Sequence, residues 1–249
     1  MTLARGWRKS WLLTRGVSLL LWTISAVSFL TLGLALILLS FVMSFRTMQP
    51  LPRLFCRFIL FAGGQRLVLK TPMPSAAHGP YIYMFNHTSM LDTLIMIAII
   101  PEYTMAIGKA EQFDVPIWGT LIKRWGAVPI HRQDLQRAIK QLDTVSDALR
   151  RGDSLLISPE GTRSPDGRLL SFKKGPFHVA MSQPTTIVPV AIIGAHRATR
   201  KGSWLLLPST IEIRVASLIK PDAPAYRDRE ALSDETRTAL ALNLPNEQC

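Results

Sequence analysis

The run Phe85-Asn86-His87-Thr88-Ser89-Met90-Leu91-Asp92 sets an imidazole and a carboxylate five residues apart, directly after the apolar stretch Tyr81-Ile82-Tyr83-Met84-Phe85. That pairing is what a general base needs. The carboxylate accepts one ring N–H, fixes the tautomer and stabilises the imidazolium, while the second nitrogen can take a proton from a hydroxyl. On one continuous helix, residues five apart point about 140° away from each other, so the two can meet only if a helix begins between them. Thr88 or Ser89 as N-cap, with Asp92 in the first turn, meets that condition and leaves His87 on the strand-to-helix turn. A plainer reading fits the same residues, because Ser89-x-x-Asp92 is also an ordinary capping pattern.

A second group with chemistry is Glu160-Gly161-Thr162-Arg163, behind the apolar segment Ser154–Ser158. Arg163 offers a planar fork suited to phosphate, Thr162 a hydroxyl donor, and Gly161 lets the backbone itself approach an anion. Glu160 is expected to pair with a basic side chain and hold the loop in shape. A solvated polar turn is the competing reading. Several other chemistries lack their signatures: there is no Gly-x-Ser-x-Gly elbow, no Walker A loop, no Gly-x-Gly-x-x-Gly and no His-Glu-x-x-His. The histidines at 78, 87, 131, 178 and 196 have no metal-ligand spacing, so no metal is required.

The elements around these groups read as an α/β chain with an apolar N-terminal attachment. Hydrophobic residues make up 48% of the 249, and the mean hydropathy is +0.20. Gly16 to Phe45 carries no charge over 30 positions. As one helix that run is about 45 Å long, enough to cross a hydrocarbon core of about 30 Å with tilt, or to break near Gly33 into a hairpin within one leaflet. It is too long for a signal-peptide core. Net charge is +12, and no acidic residue precedes Asp92, whereas nine basic ones do, from Arg5 to Lys70. Anionic membrane phospholipids are the natural partner of such a surface; nucleic acid is not expected, since no zinc-finger, basic-heptad or RNA-binding signature is present. Arg53 and Arg57, one turn apart in Leu51–Phe61, suggest an interfacial helix with its arginines at headgroup level, or a core helix with snorkelling arginines. Two cysteines, Cys56 and Cys249, suggest no disulfide framework.

Downstream, strands are expected at Arg66–Lys70, Tyr81–Phe85, Tyr103–Ile107, Ser154–Ser158, Ile187–Ile193, Trp204–Leu207 and Thr210–Ala216. Helices are expected at Leu94–Ile100, at Leu135–Leu149 with Asp134 as N-cap, from Lys173 to about Ser182, and from about Ser233. Alternating strands and helices argue for a mixed central sheet flanked by helices. The organisation expected is a membrane-anchoring helical segment, 1–62, and a catalytic domain, 63–249.

Four blocks in order make a specific pattern: Asn86-His87 through Asp92, Ile130-His131-Arg132, Pro159-Glu160-Gly161-Thr162-Arg163, and Ile187-Val188-Pro189-Val190-Ala191. The pattern resembles the glycerolipid acyltransferases, most closely the bacterial 1-acylglycerol-3-phosphate acyltransferases. The resemblance implies a glycerol-phosphate-acyltransferase-like fold and transfer of an acyl group from acyl-CoA or acyl-carrier protein to the sn-2 hydroxyl of lysophosphatidic acid, giving phosphatidic acid, with no cofactor. It implies His87 as general base and Asp92 as its partner. Arg132, Gly161, Thr162 and Arg163 would hold the phosphate, with Glu160 in the same set and Lys109 and Lys173 as further members. The implied location is the cytoplasmic side of an inner membrane. Two positions depart from the family pattern: His131, where an acidic residue is more common, and Ser158, where Phe is common before the proline. Another lysolipid, such as a lyso-ornithine lipid, is the alternative acceptor, and a non-catalytic lipid-binding protein that keeps the fold is the alternative class.

Overall fold

The computed structural model describes residues 11–131 and 135–249. Its centre is a seven-stranded sheet of β1 (Gln65–Leu69), β2 (Tyr81–Phe85), β3 (Thr104–Lys109), β4 (Val128–Ile130), β5 (Ser154–Ile157), β6 (Thr186–Ile193) and β7 (Ser209–Val215). The spatial order is β1-β7-β6-β2-β5-β3-β4. All neighbours are parallel except β6 and β7, so the sheet is mixed. β2 through β6 therefore end on one common edge, where ligands bind in sheets of this kind.

Strand β2 reads as an unbroken apolar run because both of its faces are covered. Tyr81, Tyr83 and Phe85 face a layer that contains α1 (Trp11–Leu39), α2 (Pro50–Ala62), α3 (Asp92–Ile99) and α4 (Trp118–Trp125). Ile82 and Met84 face α5 (Leu135–Arg150), α6 (Lys174–Ser182) and α8 (Arg229–Ala241), while the one-turn helix α7 (Ala195–Ala198) follows β6. The crossovers between parallel strands run through α3, α4, α5 and α6.

Helix α1 continues straight through Gly33, so the hairpin break expected there does not occur. Gly33 is instead a packing position, where a Cβ would stand 3.3 Å from both Ile117 and Leu121. With Ser18 and Ser25 also buried, small residues let α1 lie along the body. Its outer face is apolar and exposed at Leu20, Val27, Leu34 and Leu38, and Leu12–Leu39 is long and apolar enough to cross a membrane. Helix α2 adds Leu51, Leu54, Phe58 and Phe61 to that surface. Of its two arginines, Arg53 is half-buried and Arg57 exposed. Arg57 Nε donates to the Ala98 carbonyl at 2.8 Å, near the end of α3, and Arg53 Nε is buried. α1 and α2 share the apolar core that lies against the sheet.

Two other expectations change. Trp204–Leu207 is not a strand, because side chains of α1 satisfy its backbone: Trp22 Nε1 donates to the Trp204 carbonyl at 2.6 Å, and the Leu206 N–H donates to Ser18 Oγ at 2.8 Å. The last helix begins at Arg229, not Ser233, since the Asp228 carboxylate caps the Ala231 N–H at 2.8 Å.

Candidate active site

The turn after β2 closes the five-residue gap. His87 Nδ1 lies 2.9 Å from Asp92 Oδ2, with the carboxylate fully buried and the imidazole side chain 22% exposed. The capping differs from the expectation. Leu91 stands at the N-cap position and Asp92 is the first helical residue. Neither the Thr88 nor the Ser89 hydroxyl caps the helix. The Asp92 carboxylate reaches back instead, and Oδ2 accepts the N–H groups of Thr88 and Ser89, each at 2.7 Å. The carboxylate therefore sits at the amino end of α3 with two backbone donors on one oxygen. One oxygen thus holds the turn and the imidazole together, and Nε2 is left as the proton acceptor.

The backbone of His87 is gripped from both sides by the second constellation. Its N–H donates to Glu160 Oε1 at 2.8 Å, and its carbonyl accepts the Ser164 N–H at 2.7 Å. Glu160 Oε2 accepts the Leu170 N–H at 3.0 Å. The expected basic partner is therefore replaced by two backbone amides. Glu160 holds the loop, but by tying it to the His87 turn. Burial pushes its carboxyl up to about 7, against the opposing pull of those two amides. Asn86 fixes the other flank: its amide donates to the Ile192 carbonyl at 3.0 Å and accepts the Ile192 N–H at 2.7 Å, continuing the β2–β6 ladder through a side chain.

Gly161 has φ +66, and a Cβ there would meet Lys173 Cγ at 3.2 Å. Both the dihedral and the close approach call for glycine. The Lys173 N–H is bound to the Pro159 carbonyl at 2.7 Å, which places Lys173 against this loop. Thr162 and Arg163 are half-buried on it, and Arg163 makes no ion pair among the described residues. Lys109 stands apart. It ends β3, two strands or roughly 10 Å from β2 along the same edge, and pairs with Glu111 at 3.1 Å. There it lines a cavity of about 810 Å³ with Phe113, Lys123, Pro129 and His131. Arg132, and the N-cap expected at Asp134, lie outside the described residues. The arrangement brings together His87, Asp92 and Glu160 directly, and Gly161, Thr162, Arg163 and Lys173 around one loop.

Sequence reasoning missed the side-chain staple of Asn86, the Ser164 amide and Lys201, whose ammonium reaches the Thr162–Arg163 loop. Only the Asn beside His87 carried a signal, as a polar residue at the end of an apolar strand. Chemically, the site offers a base backed by a buried anion, next to a loop with free cationic and hydroxyl donors.

Comparison with known proteins agrees with this geometry. The family model described as Acyltransferase matches residues 66–193. The chain is 39% identical over 142 residues to a 1-acyl-sn-glycerol-3-phosphate acyltransferase of Cocos nucifera, covering 57% of this chain and 46% of that protein. It is 27% identical over 187 residues to the human beta form of an enzyme with the same name, covering 75% and 67%. The chain spans about half the length of the curated relatives it matches first. The crystal structure of the 1-acyl-sn-glycerophosphate acyltransferase from Thermotoga maritima superposes with a TM-score of 0.79 at 22% identity, over 91% of this chain and 92% of that one. That likeness establishes the fold.

Proposed function

This chain belongs to the acyltransferase family, and on that premise we propose that it moves a fatty acyl group from acyl-CoA or acyl-carrier protein to the sn-2 hydroxyl of 1-acylglycerol-3-phosphate, forming phosphatidic acid. The observation that carries the reading is the 2.9 Å contact of His87 with the buried Asp92, one turn from a loop rich in anion donors. His87 Nε2 removes the proton of the acceptor hydroxyl, and the oxygen attacks the thioester carbonyl. Asp92 holds the Nδ1–H and balances the imidazolium that forms. As the tetrahedral intermediate collapses, the C–S bond breaks and the thiolate takes the proton from His87. A thiolate leaves readily, so no acyl-enzyme is required and no cofactor enters the step.

Gly161, Thr162 and Arg163 bind the acceptor's phosphate, with Lys173 beside them. The relatives' printed names supply the acceptor, and the donor set of the loop fits its phosphate. The apolar outer faces of α1 and α2 hold the domain at the bilayer, where lysolipid and product reside. Both acyl donors are water-soluble intracellular thioesters, which puts the catalytic domain on the cytoplasmic side of the inner membrane.

The test is product identification with protein reconstituted in phospholipid vesicles, supplied with oleoyl-CoA or oleoyl-acyl-carrier protein. Acceptors are 1-acylglycerol-3-phosphate and a lyso-ornithine lipid in parallel. Phosphatidic acid is the expected main product. Acylation of the lyso-ornithine lipid alone would overturn the phosphate assignment, and no transfer from either donor would overturn the enzymatic reading.

A further inference from the structure

We infer that Lys201 is a third cationic contact for the acceptor's phosphate, outside the sequence blocks that define the family, and that it presets the Thr162–Arg163 loop for that anion. The inference rests on the acyl-acceptor reading above and deepens it. Lys201 Nζ donates to the Arg163 carbonyl at 2.8 Å and lies 3.4 Å from Thr162 Oγ1. An ammonium has three donors. Two are turned onto the loop, and the third remains for a ligand on the exposed side, since Lys201 is itself exposed.

The contact with Thr162 has a directional consequence. A hydroxyl whose lone pair faces an ammonium presents its own hydrogen outward, as a phosphate oxygen requires. Binding the Arg163 carbonyl likewise fixes the backbone from which the guanidinium projects. Thr162, Arg163 and Lys201 then offer O–H and N–H donors and two positive charges on one loop and its lysine tie, and no acidic side chain bonds to any of them among the described residues.

Lys201 is held where it is by a rigid frame. It sits on the tight turn Arg200-Lys201-Gly202-Ser203, closed by the Ser203 N–H on the Arg200 carbonyl at 3.1 Å, with Gly202 at φ +82. On one side, Leu207 N–H bonds to the Ala198 carbonyl at 2.9 Å. On the other, Ser18 and Trp22 of α1 bind Leu206 and Trp204. The lysine thus reaches the loop from a segment anchored on the apolar helix.

The experiment compares Lys201→Ala, Lys201→Gln and Arg163→Ala with the wild type, in vesicles, measuring KM for 1-acylglycerol-3-phosphate, KM for the acyl donor, kcat and thermal midpoint. Lys201→Gln keeps an N–H donor on a side chain one bond shorter and removes the charge. Both lysine variants should raise the acceptor KM at least about tenfold, the scale of one charge-assisted hydrogen bond, with donor KM and midpoint unchanged. An acceptor KM within twofold of wild type for Lys201→Gln would reduce Lys201 to a loop tie and overturn the inference. If Arg163→Ala raises the acceptor KM while neither lysine variant does, this inference fails and the acceptor reading stands. If none of the three raises it, the phosphate site itself is misplaced.

Discussion

The two ends of the parallel strands each hold carboxylates, and they use them differently. At the carboxyl end, Asp92 and Glu160 are bound by backbone N–H groups of the His87 turn and its loop. At the amino end, Glu102 accepts the hydroxyls of Tyr83 at 2.7 Å and Ser154 at 3.1 Å. Burial, then the Glu102 hydrogen bond, pushes the Tyr83 phenol well up. Beside it, Arg46 pairs with Asp153. Hydroxyls and ion pairs close off the amino end, where strands begin and helices arrive. Backbone donors at the carboxyl end leave a side chain, the His87 imidazole, unspent. The difference teaches that a working site here depends on carboxylates held by main-chain donors, not on buried charge alone.

The predictions test that contrast. His87→Ala should lower kcat about 10²–10⁴-fold, the usual contribution of a general base, while vesicle binding stays at wild-type level; flotation assays check the second point. Arg163→Ala should raise the acceptor KM roughly 10–100-fold, with kcat little changed, as read by initial rates. Glu160→Gln keeps one acceptor but turns an NH₂ toward a second N–H donor, so kcat should fall about tenfold through the displaced turn. The same variant has a signature in stability. Because the folded carboxyl titrates at about 7, above its usual value of 4.5, the folded state holds a proton that the unfolded chain gives up. Its contribution is present below about 4.5 and is lost as pH rises through about 7. Wild-type thermal midpoints should therefore climb from pH 8 to pH 5 relative to those of Glu160→Gln. Glu102→Gln, at the other end, should leave turnover within about twofold and lower the midpoint by about 2–6 °C. A large loss of kcat there would erase the contrast.

Much of this fold was legible, for identifiable reasons. Both faces of β2 are buried, so Tyr81–Phe85 shows as an unbroken apolar run, and most of α1 lies within the uncharged run Gly16 to Phe45. What misled was apolar sequence whose backbone finds partners outside a ladder. Trp204–Leu207 has the composition of a strand, yet Ser18 and Trp22 take its polar groups, and such long-range side-chain bonds leave no local pattern. Arg57 shows the same limit, since a cation between apolar residues gives no sign that its Nε reaches the Ala98 carbonyl. At the site, His87 and Asp92 could be paired by arguing where a helix must start. That Asp92 caps the turn with its own carboxylate could not be told from a Ser89 cap, because both place the same residues at the same spacing. The Glu160 contact with the His87 N–H spans 73 residues and required the fold.

The most direct test of the central claim is a double-mutant cycle in kcat on His87→Ala and Asp92→Asn. A histidine that works as base only through its carboxylate predicts that the double variant is no slower than His87→Ala alone. Losses that multiply would mean that the two residues act independently, and the His87–Asp92 pair would not be the catalytic unit.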